Sequence, residues 1–181
     1  MKVVSVNIGE KKAIDYKGRI VETGIFKFPV DELLLGEEDV ANDAVVDRKY
    51  HGGIDQAVYA YSEHHYTYWK KLYPNLDWRF GMFGENLTVS NLEENSIKVG
   101  NTYKLGEAVL QVTKSRQPCM KLGLVFGTQK VVKQFWNSTK CGVYFKVLQT
   151  GKVKASDELI LIKENKNAPT IAELYETKKE K

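Results

Sequence analysis

The 181-residue chain has two cysteines, and one of them sits where a reactive thiol would be placed. In Ser115-Arg116-Gln117-Pro118-Cys119-Met120-Lys121-Leu122 a thiol directly follows a proline and stands between two cations. Packing requires neither. Cations favour the thiolate, the form that attacks an electrophile or ligates a metal, and a proline takes the backbone out of regular pairing. The plain alternative is that Cys119 is a small buried hydrophobe. Cys141, behind Lys140 and ahead of a strand pattern, reads as structural.

Two other stretches carry polar chemistry. In Asp47-Arg48-Lys49-Tyr50-His51-Gly52-Gly53-Ile54-Asp55-Gln56 the adjacent glycines leave backbone N–H groups open to a ligand. Arg48 and Lys49 offer cations to a phosphate or carboxylate, and His51 exchanges a proton near neutral pH. The same residues also describe a tight loop with solvated charges. In Phe83-Gly84-Glu85-Asn86 the two polar side chains suit hydrogen bonding to a polar heterocycle, or simply a turn at a strand start. The pair His64-His65 lacks the second histidine at i+4 that a metalloprotease helix needs, and no CxxC occurs, so both read as surface or packing residues. Phosphate-binding P-loop, dinucleotide-binding and serine-hydrolase signatures are also missing.

The composition, 43% hydrophobic, 28% charged and 11% aromatic, supports a real core. A net charge of +4 is compatible with a small anionic ligand or weak nucleic-acid contact and selects neither. Tyr66, Trp69 and Tyr73 repeat at helical spacing, which suits packing better than base stacking, so no nucleic-acid partner is expected. No apolar run approaches the ~20 residues of a membrane span. The start of the chain reads as a strand without the apolar core of a secretory signal. The expectation is a cytoplasmic protein with two unbridged thiols and no membrane partner.

The elements that would position these groups are short. Strands are expected near residues 3–6, 26–30, 57–61, 87–89, 102–105 and 108–113, with a hairpin of 11–16 and 19–26 around Lys17-Gly18. Pro29 marks 26–30 as an edge or strand end. Ser62 should cap a helix running through Leu72. Further helices are expected from Pro118 through Leu122, over 130–136 and over 170–178. Residues 142–148 and 158–162 should close as a hairpin around Gly151, and 36–53 should be a long functional loop. Many short strands with glycine turns and few helices make a β-rich barrel or sandwich; the regular crossovers of a parallel α/β sheet are missing.

In their order and spacing, the stretches Asp47 to Tyr59, Phe83 to Thr88, and Ile97-Lys98-Val99-Gly100 through Arg116-Gln117-Pro118-Cys119-Met120-Lys121-Leu122 resemble the MOSC family, named for the C-terminal domain of molybdenum cofactor sulfurase. The likeness covers residues 1–163 and implies a mainly β fold, a twisted β-barrel with a few short helices. Residues 164–181 then form a short helical tail where a three-helix extension is usual. The resemblance implies a molybdenum cofactor, a molybdopterin, with Cys119 as metal ligand or as carrier of a transferable sulfur. It further implies His51 as proton donor, and Arg48, Lys49, Gly52, Gly53, Asp55, Glu85, Asn86, Arg116 and Lys121 around the cofactor. The implied activity is an oxidoreductase reducing N-hydroxylated compounds such as purines and amidoximes. Its electrons would come from a separate donor protein, because the chain lacks an iron–sulfur cysteine pattern. A homodimer is the implied assembly. The alternative is a persulfide carrier or a non-redox molybdopterin-binding module. A soft thiolate suits molybdenum.

Overall fold

The structure, a computed structural model, describes residues 1–46 and 52–179. Its strands are β1 (Lys2–Gly9), β2 (Lys12–Tyr16), β3 (Arg19–Thr23), β4 (Lys27–Val30), β5 (Glu32–Leu35), β6 (Val58–Ser62), β7 (Leu87–Ser90), β8 (Thr102–Leu105), β9 (Ala108–Ser115), β10 (Val143–Gln149), β11 (Gly151–Lys154) and β12 (Leu159–Lys163). The helices are α1 (Glu63–Leu72), α2 (Met120–Phe126), α3 (Lys130–Trp136) and α4 (Ile171–Lys179). The protein is therefore mainly β. Eight strands form one sheet in the order β12-β8-β9-β10-β6-β7-β1-β4, and β2–β3 and β5–β11 form two-stranded sheets. Every neighbouring pair is antiparallel except β6 and β7, which α1 connects. Among the described residues no ladder joins β4 to β12. The start of β1 nevertheless reaches the far edge, where Lys2 bridges Glu158 and Leu159 N–H donates to Met1 O at 2.9 Å.

Alternation along β6 and β10 gives the sheet two packed faces, because residues opposite one another in a ladder share a side. Val58 and Ala60 stand opposite Phe145 and Val143, and this face continues through Val112, Leu110 and Tyr103. On the other face Tyr59 stands opposite Tyr144, and Tyr61 follows two residues on. There α1 delivers Trp69 and α3 delivers Phe135. Tyr61 stacks on Phe83 at 4.3 Å, Trp69 stacks on Phe135 at 6.0 Å, and the Trp69 indole N–H donates to the Tyr61 hydroxyl at 2.7 Å. Each such ring contributes ~1.5–3 kcal/mol by burial, and each well-placed pair ~0.5–1.5 kcal/mol more.

The helices follow from their end residues. Glu63 opens α1 and Lys70 and Lys71 close it, in the order the helix dipole favours. Ser62 is the N-cap residue as expected, but its hydroxyl makes no capping bond and is buried without a partner among the described residues. Before α4, Thr170 and Glu173 cap each other reciprocally: Thr170 N–H donates to Glu173 Oε2 at 2.8 Å and Glu173 N–H to Thr170 Oγ1 at 3.2 Å. Tyr175 then stacks on Trp136 at 5.6 Å and donates to Phe135 O at 3.1 Å, which ties α4 to α3. Among the described residues no helix is long and apolar enough to cross a membrane.

Two local expectations are corrected. The hairpin around Gly151 does not form: β10 pairs with β6 and β9, and β12 pairs with β8. The segment between them is β11, which crosses to β5 and sets Val153 opposite Leu33 and Gly151 opposite Leu35. Leu33 and Leu35 are buried by that pairing. Helix α2 begins at Met120 and not at Pro118, and Cys119 is its extended N-cap residue at φ −126° and ψ 170°. Pro118 therefore belongs to the connection leaving β9.

Candidate functional site

An open cleft of about 680 Å³, its mouth included, lies where the β3–β4 connection, residues 43–46, the start of β6 and the β9–α2 connection meet. Gly24 allows this convergence. A Cβ there would stand 2.0 Å from Ala44 O, so only a glycine lets residues 43–46 lie against the β3–β4 connection. Asp43 fixes the same segment from beneath. Its Oδ1 accepts Gly9 N–H at 2.8 Å, and its Oδ2 accepts the Asn86 amide at 2.8 Å and the Lys27 ammonium. The Lys27 and Asp43 side chains are 8% and 4% exposed. Burial pulls the Lys27 pKa below the ordinary lysine value, against the attraction of Asp43. Removing one partner of such a buried pair costs ~3–5 kcal/mol.

The opposite wall is built on Arg116. Its guanidinium lies 4.9 Å from the Tyr59 ring centroid and 5.6 Å from that of Phe135, and Nη1 donates to Phe83 O. Burial opposes its charge, yet Tyr59, Tyr144 and Cys119 around it hold its pKa above the ordinary arginine value. Arg116 is a permanent buried cation. The Tyr59 and Tyr144 rings lie 5.0 Å apart, and the Tyr59 hydroxyl donates to Cys141 O at 2.9 Å. Burial raises the pKa of both phenols, so both are neutral in ordinary buffers. Cys119 is half-buried at the cleft surface, and no disulfide joins it to Cys141.

Of the residues singled out in the sequence, Gly52, Asn86, Arg116, Cys119 and Lys121 line this one cleft. Gly52 and Gly53 both have positive φ, 75° and 80°, but Gly53 is not part of the lining. Asp55 lies in an exposed 3-10 turn, Ile54–Gln56, and its carbonyl accepts Thr113 Oγ1 at 2.6 Å. Glu85 sits beside the cleft and does not line it. Its carboxylate accepts the Tyr66 hydroxyl, Gly81 N–H at 2.9 Å, Phe83 N–H at 3.1 Å and Thr88 Oγ1 at 2.9 Å. That arrangement holds the turn whose Phe83 carbonyl receives Arg116. Arg48, Lys49 and His51 lie outside the described residues.

His65 is buried with Nε2 at 2.9 Å from both Glu94 oxygens, and Glu94 Oε1 also accepts Gly142 N–H at 2.8 Å. It is a packing strut, and His64 is exposed. Among the described residues no group of three or more His, Cys, Asp or Glu is placed to hold a metal ion.

Sequence reasoning passed over Lys27, Asp43, Gln56, Tyr59 and Tyr144, which also line the cleft. A readable signal existed for the tyrosines, since Tyr59 and Tyr61 alternate in a strand with apolar residues between. None existed for Lys27, because Phe26, Phe28 and Val30 advertise the opposite face of β4 as the buried one.

The mainly antiparallel sheet thus brings one thiol and several buried charges together at one open cleft. The chain belongs to the MOSC domain family, whose sequence profile matches residues 47–160. It is 37% identical over 161 residues to the Bacillus subtilis protein YflK, covering 88% of this chain and 72% of that one. A Gibberella moniliformis protein named a reductase is 33% identical over 132 residues, but the match spans 71% of this chain and only 22% of that protein. The crystal structure of YiiM from Geobacillus stearothermophilus superposes with a TM-score of 0.81 at 32% identity, over 98% of this chain and 83% of that one.

Proposed function

We propose that this protein binds a molybdenum pterin cofactor with Cys119 as the metal ligand, and that it reduces N-hydroxylated compounds with electrons from a separate donor protein. The observation that carries this reading is the charge around the thiol. Lys27, Arg116 and Lys121 line the cleft with Cys119, and Asp43 is the one carboxylate among the described lining residues. Membership of the MOSC family and the relative named a reductase support it.

The residues present fit the group. A thiolate is the soft donor that molybdenum accepts. A buried guanidinium held by the Phe83 carbonyl, the Tyr59 phenol and two aromatic faces still has donors to offer an anionic phosphate or pterin oxygen. When bound, the molybdenum centre supplies two-electron redox chemistry. The overall reaction cleaves the N–O bond with two electrons and two protons and yields the amine and water. Arg116 and Lys121 hold the anionic part of the cofactor, and Asn86, pinned to Asp43, keeps the floor rigid. His51 delivers a proton to the departing hydroxyl. The sheet acts as an incomplete twisted barrel whose strands fix Tyr59, Tyr144 and Arg116 relative to Cys119.

The test is Cys119→Ser made beside Cys141→Ala. In protein produced with molybdate, the first variant should lose bound molybdenum and reduction of a hydroxylamine by a chemical reductant, while keeping wild-type circular dichroism. Cys141→Ala should retain both. Full activity and metal content in Cys119→Ser would refute the assignment.

A further inference from the structure

The polar groups around the cleft divide by whether their hydrogen bonds are already taken. Thr23 Oγ1 accepts Ile25 N–H at 3.1 Å, Asp43 is held by three donors, and the Tyr59 hydroxyl is spent on Cys141 O. The Asn86 amide donates to Asp43 and to Asn7 O, while its own Oδ1 accepts Tyr59 N–H at 3.2 Å. These groups build walls. Tyr144 is different: it lines the cleft, is half-buried, and its hydroxyl has no hydrogen-bond partner among the described residues. Its backbone is held on both sides. Its strand is paired on both sides, with Tyr144 opposite Tyr59 and Lys114, and its carbonyl accepts Thr113 Oγ1 at 3.0 Å. Behind it the Tyr59 ring rests in turn on the Arg116 guanidinium.

An aromatic face backed by a second ring and a cation, with a donor at its tip, has the form of a recognition platform. We propose that Tyr144 is the specificity-determining residue of this cleft, packing its ring against the aromatic part of a flat N-hydroxylated compound and donating its hydroxyl to the N–O oxygen. Gln56, also on the lining and with no side-chain partner among the described residues, faces the same ligand with an amide that both donates and accepts. Stacking on an aromatic face discriminates flat, delocalised substrates from saturated ones, because only the former bring a π-face into contact. The inference rests on the reading above for its reaction, but recognition can be measured without turnover.

The experiment compares benzamidine, the flat product of benzamidoxime reduction, with cyclohexanecarboxamidine, which carries the same amidine on a saturated ring. Binding of each is measured by calorimetry to the wild type, Tyr144→Phe and Tyr144→Leu, with and without cofactor, after circular dichroism shows that each variant is folded. Tyr144→Leu should weaken benzamidine about tenfold or more and leave the saturated amidine nearly unchanged. Tyr144→Phe should keep that preference. For benzamidoxime reduction by loaded protein, Tyr144→Phe should raise KM roughly fivefold, the loss of one hydrogen bond, with kcat little altered. Equal weakening of both amidines in Tyr144→Leu, or no preference in the wild type under either condition, overturns the proposal. A wild type that prefers benzamidine through Tyr144 yet reduces no N-hydroxylated compound upholds Tyr144 as the recognition residue and refutes the reductase reading instead.

Discussion

Glu85 concentrates four donors on one buried carboxylate, and its titration should be visible in the stability of the whole protein. Burial raises its pKa above the ordinary 4.5, while the hydrogen bonds from Tyr66, Gly81 and Thr88 pull the other way. Just above 4.5 the native state therefore holds a proton that the unfolded chain has released. The Glu85 contribution is complete below pH 4.5 and is lost as pH rises through the native pKa. In urea titrations from pH 4.5 to 7, the stability advantage of wild type over Glu85→Gln, about 2 kcal/mol at the acid end, should narrow as pH rises; a widening gap would reverse the assigned direction. Single residues were unevenly legible from sequence. Cys119 announced itself through its neighbours, Arg116 through its distance from it. Lys27 did not, because β4 turns Phe28 outward, 44% exposed under Lys12 and Arg79, and turns the lysine in toward Asp43. Period-two alternation finds the two faces of a strand, but the partner of a buried charge decides which face goes inside.

Elements were readable where their signals were local. Helix α3 follows from Val131 and Phe135 at helical spacing, and the β8–β9 and β2–β3 hairpins follow from glycine turns. The β5–β11 sheet was not readable, because Glu32-Leu33-Leu34-Leu35 is too short to separate helix from strand and its partner lies more than a hundred residues away. Long-range pairing leaves no mark on either segment alone. Helix α4 shows the opposite case, a local signal that also does long-range work. Ile171 and Tyr175 are fully buried, and the Tyr175 hydroxyl reaches the last turn of α3. Tyr175→Ala should cost about 3 kcal/mol or more, in line with other buried aromatic deletions. Thermal melting would show a loss near 1 kcal/mol or less if α4 were merely appended to the domain.

At the scale of the molecule, one continuous hydrophobic core runs from Val3 in the first strand to Tyr175 in the last helix. The two faces of the central sheet therefore should not melt apart. Urea transitions followed by tryptophan emission and by far-ultraviolet circular dichroism should share one midpoint, and two separated midpoints would show that the helical face unfolds alone. The β-rich class and the site of the thiol were legible at this scale. The order of the eight strands was not, since which strands become neighbours depends on curvature summed over the whole sheet. The ring stack on the helical face has an optical consequence. Trp69 is wholly buried against Phe135, and Phe135 in turn lies under the guanidinium that borders the cleft. An indole so enclosed emits at short wavelength, and any anion that draws on Arg116 alters the field it senses. The protein thus contains its own fluorophore for occupancy, readable without a label, with Trp69→Phe as the variant that should silence it.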